Sequence, residues 1–191
     1  MRKIIRGCRK KTQMTHLENE LKIFSQKLSK LQKQGKLKGF CLIGALAVSA
    51  RSRPRTTHDI DFLVSAEDEF FTETFPETIR QKGYKVKVFK GDFTDPVNGL
   101  IRVYDRSGNE LVDIIPVFWK WQDEIVENAE KIKMSNNFLI PIASIEDLII
   151  LKLNAGGPQD LLDVEELMKT IKISGKFDAA RLLSLAKRAK V

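Results

Sequence analysis

Residues 44–61 read GALAVSARSRPRTTHDID, and the fold is decided by how this stretch is understood. The apolar run Phe40-Cys41-Leu42-Ile43 precedes it, and Phe62-Leu63-Val64 follows. The order is a strand at 39–43, a glycine turn, a small-residue helix over Ala45 to Ala50, a basic loop broken at Pro54, and a second strand at 59–64. Asp59 and Asp61 stand two apart at the entrance of that strand. Both carboxylates then project from one face, with Cα atoms roughly 7 Å apart. Hard oxygens beside a loop suit Mg2+, which shares its coordination shell with phosphates. Gly44 lets the backbone come close to a ligand. The helix after it presents free N–H groups at its N-terminus, and Arg51, Arg53 and Arg55 add positive charge, Arg55 nearest the acids. A lone Asp-x-Asp at a strand start more often marks a solvated turn. The ordered set of parts is what points to a metal-bound triphosphate.

A third acid would complete such a site. Asp113 interrupts the apolar strand Leu111-Val112-Asp113-Ile114-Ile115. A carboxylate there is costly to bury unless it meets a cation or is well paired. This strand and Leu100 to Tyr104 flank Asp105-Arg106-Ser107-Gly108-Asn109, a hairpin signal. Upstream, Leu17, Leu21, Phe24, Leu28 and Leu31 recur at four and three, the face of an amphipathic helix that Gly35 closes. Ser65 is expected to cap a helix running towards Lys82 and bent near Pro76. Lys85 to Phe89 alternate as a half-exposed strand, and residues 91–98 read as loop. Phe118 to Ile132 reads as helix, Phe138 to Ile142 as a short strand. Ser144 caps a helix to Asn154, Gly156-Gly157-Pro158 breaks it, and two more helices span Gln159 to Thr170 and Phe177 to Ala189. Three parts are expected: a basic segment with its helix at 1–35, a catalytic core at 36–140, and a helical lobe at 141–191.

Hydrophobic residues make up 42% of the 191 residues, which suits one well-packed core, and no run approaches the ~20 apolar residues a membrane span needs. The basic start MRKIIRGCRKK has too short an apolar part for a signal peptide. Cys8 and Cys41 cannot build a disulfide framework, so the expected setting is reducing and cytoplasmic. The net charge of +8 favours polyanionic partners, although a solvated basic surface gives the same number. Two histidines and two scattered cysteines argue against structural zinc. No serine or cysteine sits in a triad context. His58 is turned away from Asp59 by strand alternation, and His16 has no partner in view. Trp119 and Trp121 read as packing before they read as base-stacking residues. Lys187, Arg188 and Lys190 suit a helix C-terminus as well as they suit RNA.

Gly44-Ala45, then Arg55-Thr56-Thr57-His58-Asp59-Ile60-Asp61-Phe62-Leu63-Val64, then Asp113, resemble the signature of the DNA polymerase beta-like nucleotidyltransferase superfamily. Ile142-Ala143-Ser144-Ile145-Glu146-Asp147-Leu148-Ile149-Ile150-Leu151-Lys152, followed by Gln159-Asp160-Leu161-Leu162-Asp163, is similar to the AbiEii-like branch, which contains toxin components of type IV toxin–antitoxin systems. The resemblance covers roughly residues 38–168. It implies an α+β fold, a mixed β-sheet flanked by helices with a C-terminal helical lobe. It implies Mg2+-dependent transfer of NMP from an NTP to an acceptor hydroxyl, releasing pyrophosphate. Asp59, Asp61 and Asp113 would be the metal ligands, Asp113 helping to activate the acceptor. Lys152 would approach the nucleotide phosphates, with Asp160 in the same cleft, and Gly44, Ala45 and Arg55 would line the nucleotide. Two departures stand out. Ala45 replaces the serine or second glycine of many relatives, and Gly156-Gly157 replace the usual arginine before the last aspartate motif.

The acceptor is left open by these residues. RNA or tRNA is the leading candidate, with a cognate antitoxin as a candidate protein partner. The alternatives are a catalytically silent nucleotide- or RNA-binding module of a toxin–antitoxin pair, and a small-molecule transferase of the aminoglycoside type, which the positive charge disfavours.

Overall fold

A computed structural model describes residues 8–89, 99–134, 138–175 and 177–191. The expected loop at 91–98 and the first residues of the basic segment lie outside the described residues. The chain forms a seven-stranded mixed sheet flanked by helices, in the order β3-β4-β5-β2-β1-β7-β6. The strands are β1 (Gly39–Ile43), β2 (Ile60–Ser65), β3 (Lys85–Phe89), β4 (Leu100–Tyr104), β5 (Glu110–Pro116), β6 (Glu130–Lys133) and β7 (Leu139–Ile142). The helices are α1 (Cys8–Lys33), α2 (Gly44–Arg51), α3 (Phe75–Arg80), α4 (Lys120–Glu127), α5 (Ile145–Ala155), α6 (Pro158–Ser174) and α7 (Ala179–Ala189). Residue 140 falls inside β7, so the last strand belongs to the sheet. Among the described residues no helix is long and apolar enough to cross a membrane.

β1 and β2 are central and apolar because both of their faces are covered. Leu21, Phe24, Leu28 and Leu31 turn one stripe of α1 into the core, as their four–three spacing requires. Phe24 meets Tyr84 edge-on at 5.3 Å. β5 lies parallel to β2 and antiparallel to β4, so the hairpin hangs on the open side of β2.

Two local expectations are corrected. The helix expected over 118–132 ends at Glu127, and Glu130–Lys133 is an edge strand against β7. Asn128 leaves the helical region there, and its Nδ2 donates to the Glu124 carbonyl. Ser65 caps no helix: it ends β2, and its hydroxyl bonds Asp123 at 2.6 Å. The helix that follows holds a π-turn at Phe70–Thr74, just ahead of Pro76, closed by the Phe75 N–H donating to the Phe70 carbonyl. Proline lacks the N–H that a regular turn would use, and the preceding turn widens around the gap.

The C-terminal helices are stapled by buried charge. Ser144 caps α5, accepting from the Asp147 N–H at 3.1 Å. The fully buried Asp147 carboxylate in turn takes the Arg181 guanidinium of α7 at 2.6 Å. Gly156 closes α5 in the left-handed conformation at φ 70°.

Candidate active site

The site is built where β1 ends and β2 begins. Ile43 pairs with Asp61, and Gly44 makes the turn into α2 at φ +65°. A Cβ built on Gly44 would lie 1.8 Å from Oδ2 of Asp61. The close approach expected of this glycine is therefore made, in this structure, by the Asp61 carboxylate itself. Ala45 is buried in the first turn of α2, and no side chain caps that helix.

β2 and β5 run parallel with Asp61 directly opposite Asp113. The two carboxylates thus share one face of the sheet. Asp59 lies just outside the strand, its Oδ1 accepting from the Thr57 hydroxyl at 2.7 Å. The Asp61 carboxyl is pushed up to about 7, by burial first and then by the charges of Asp59 and Asp113, which Lys152 and Arg102 offset only in part.

Asp113 is held by an arginine to which sequence reasoning assigned no role. Arg102, on β4, donates from Nε at 2.8 Å and from Nη2 at 2.7 Å, a two-pronged grip, while its Nη1 reaches Glu110 at 2.7 Å. The Asp113 bond is the main cause of a raised Arg102 pKa. This pairing explains how a carboxylate survives inside an apolar strand. Among the described residues no three histidine, cysteine, aspartate or glutamate side chains converge to hold a metal ion as they stand. The donor chemistry nevertheless fits Mg2+. Asp59 and Asp61 offer oxygen donors only, and Asp61 is a half-buried acid crowded by like charge, which a hard cation relieves.

The cations expected to face phosphates are found in two places. Arg51 lies elsewhere: its Nε donates to the Ala143 carbonyl at 3.0 Å, Nη2 to Ile142 at 3.1 Å, and Nη1 pairs with Glu130 at 2.6 Å. It ties the end of α2 to β7 and β6, so its expected phosphate role is corrected to a structural one. Arg53 stays exposed. Arg55 and Lys152 meet on one carboxylate. Asp163 of α6, 2% exposed, takes Arg55 Nη2 at 2.9 Å and Lys152 Nζ at 3.0 Å. Arg55 Nε also lies 2.9 Å from Asp163 Oδ1, though without the alignment of a hydrogen bond. Asp160 binds Lys152 at 2.7 Å and accepts from the Gly157 N–H at 3.1 Å, which caps α6. Burial pulls the Lys152 ammonium down, but Asp160 and Asp163 outweigh it, and its pKa ends raised. The sequence motif that ends in Asp163 assigns it no role. Its signal was its place one helical turn after Asp160, on the same face.

The remaining candidates fall outside this cleft. His58 is exposed. Trp121 is buried in the core, whereas Trp119 is exposed and edge-on to Phe118 at 4.8 Å, beyond the far end of β5. Arg188 grips Glu124 of α4 through both terminal nitrogens.

No protein-family model matches the chain, and no curated protein does. Solved structures match. An antigenic nucleotidyltransferase-like protein from Paracoccidioides brasiliensis superposes with a TM-score of 0.53 at 15% identity, over 82% of this chain and 76% of that one. ANT(2'')-Ia in complex with adenylyl-2''-tobramycin gives 0.51 at 15%, over 90% and 97%. The Megavirus polyadenylate synthase gives 0.50 at 12%; it takes in 97% of this chain, which spans about a third of that enzyme, 36%. At such identities the likeness speaks for the fold: the mixed sheet and its flanking helices are arranged as in nucleotidyltransferases.

Proposed function

On this nucleotidyltransferase fold, we propose that the chain transfers NMP from an NTP to an acceptor hydroxyl, with Mg2+ as cofactor. The observation that carries the reading is the Asp61–Asp113 pair on adjacent parallel strands, set against a glycine whose missing side chain makes room for Asp61. Asp59 and Asp61 would hold the metal, and Asp113 would join them from β5. Bound there, Mg2+ supplies charge neutralisation at the phosphate oxygens in the transition state.

The chain's own residues do the rest. The first-turn amides of α2, with Gly44 and Ala45 at their head, bind phosphate oxygens. Lys152 and Arg55 turn from Asp160 and Asp163 towards the triphosphate, a charge exchange across one short cleft. Asp113 accepts the acceptor's hydroxyl proton on a carboxylate oxygen, held in orientation by Arg102. The acceptor oxygen bonds to the α-phosphorus as the bond to pyrophosphate breaks, and the pyrophosphate carries the electron pair away.

RNA or tRNA is the proposed acceptor, supported by the net charge of +8. A place as the toxin component of a type IV pair, with a cognate antitoxin, rests on the order of the Lys152 and Asp160 motifs. The second reading is an amine-bearing small molecule. The crowding of Asp59 and Asp113 against Asp61 favours it, as does the fold likeness to a protein solved in complex with adenylyl-2''-tobramycin. Incubation with labelled NTPs, Mg2+ and either total RNA or an aminoglycoside panel separates the two. Label on RNA, lost in Asp61→Asn, is the expected result. Label on no acceptor, with no metal-dependent NTP binding, would sink the enzyme.

A further inference from the structure

The cross-strand register continues past the acids. Asp61 opposes Asp113, Asp113 opposes Arg102, and Arg102 opposes Lys87. Directly opposed residues share a face, so one row of side chains crosses four strands from the candidate metal site to the sheet edge. The two rows beside Lys87 on this face bring Lys85 with Tyr104, and Phe89 with Leu100. Val86, Ile101 and Val103 turn the other way, towards the core. The row's own face is open: Lys85, Lys87 and Phe89 are exposed, Phe89 by 43%.

Cations and rings alternate on it diagonally. Lys87 Nζ stands 5.2 Å from the Tyr104 ring centre, and the Arg102 guanidinium 5.7 Å from that of Phe89. Lysines on an edge strand also guard against strand pairing between molecules, which accounts for Lys85 and Lys87. That role accounts for neither an exposed phenylalanine nor a tyrosine among them. Rings interleaved with positive charge are what a single strand of nucleic acid needs, bases stacking while phosphates are neutralised.

We propose that the open face of β3 and β4 is a docking platform for single-stranded RNA, which it leads along the Lys87–Arg102–Asp113 row to the carboxylates. The proposal deepens the transferase reading by giving its acceptor a surface. RNA is chosen over DNA because every ribonucleotide carries a 2′-hydroxyl that an acceptor site can use, and DNA carries none.

Binding is read without turnover, so that platform and enzyme stand or fall separately. A fluorescent single-stranded RNA of mixed sequence is titrated by anisotropy against the full chain, Phe89→Ala, and the double variant Lys85→Glu/Lys87→Glu. Circular dichroism confirms their fold. RNA affinity is expected to fall about five-fold or more in Phe89→Ala, and about ten-fold or more on double charge reversal. NTP affinity, measured alongside, is expected to be unchanged. RNA affinity unmoved by both variants overturns the platform even if label transfer is found. Duplex RNA bound as tightly as the single strand, or single-stranded DNA bound more tightly, also overturns it. Loss of RNA binding in the variants of a protein that transfers no label leaves the platform standing and removes the enzyme.

Discussion

Gly44 and Asp61 occupy each other's space: a methyl group on Gly44 would sit 1.8 Å from the Asp61 Oδ2. The backbone there, at φ +65°, already disfavours any side chain. Gly44→Ala should therefore cost about 2–5 kcal/mol of stability, strain and overpacking together. Urea denaturation measures this. Transfer should fall even where the variant folds, because Asp61 must move; full activity would show that its position is immaterial.

Asp61 also sets a pH dependence. Its carboxyl has an ordinary pKa of 3.8 and is pushed up to about 7 in the folded chain. Between those values the folded state keeps a proton that the unfolded chain has lost. Stability of the metal-free protein therefore falls as pH rises from about 4 to about 7 and stays low above, by on the order of 2–4 kcal/mol. Asp61→Asn removes the titrating group. In chelator it should be more stable than the parent at about pH 8 and close to it at about pH 4. Mg2+ should raise the melting temperature of the parent at about pH 8, and not that of the variant.

Arg55 and Asp163 lie 108 residues apart in sequence and 2.9 Å apart in space. A double-mutant cycle with Arg55→Ala and Asp163→Ala should show a coupling of about 1–3 kcal/mol. Asp163→Ala should be the costlier single change, since it leaves both Arg55 and Lys152 without their shared carboxylate. Additive effects in chemical denaturation would refute the linkage.

Arg51 separates structural from substrate-facing charge. Arg51→Ala removes two bonds to the Ala143 and Ile142 carbonyls and should cost about 1–3 kcal/mol. The KM for NTP should stay within about two-fold of the parent, because the binding energy lost is not the substrate's. A large rise in KM would return Arg51 to the phosphates.

Local signals carried much of the fold. The strand–glycine–helix–strand order around Gly44, the 100–115 hairpin and the Ser144 cap are all written in neighbouring residues. β6 is not: Glu130–Lys133 is polar and only four residues long, and it exists because β7 pairs with it. The site divides the same way. Asp59 and Asp61 are near neighbours, and Asp113 betrays itself as a charge in an apolar strand. The fates of Arg51, Arg55 and Lys152 depend on partners from distant elements or a later helix, which spacing does not announce. Arg102 was within reach of sequence reasoning but hidden by a slip. Counting back from the turn, where Tyr104 meets Glu110, would set Arg102 against Val112 and Asp113 on the other face. A register shift at Val103/Tyr104 gives β5 one extra residue, and Arg102 meets Asp113 instead.

That extra residue separates two jobs of the hairpin. Glu110 and Asp113, three apart, would lie on opposite faces of a regular strand, yet Arg102 grips both. The alignment of the arginine with its acids is thus set inside the ladder, between the exposed tip at Arg106-Ser107-Gly108 and the cleft. The tip is free to change length: an epitope or a short peptide grafted between Ser107 and Gly108 would be carried without shifting the chemistry behind it.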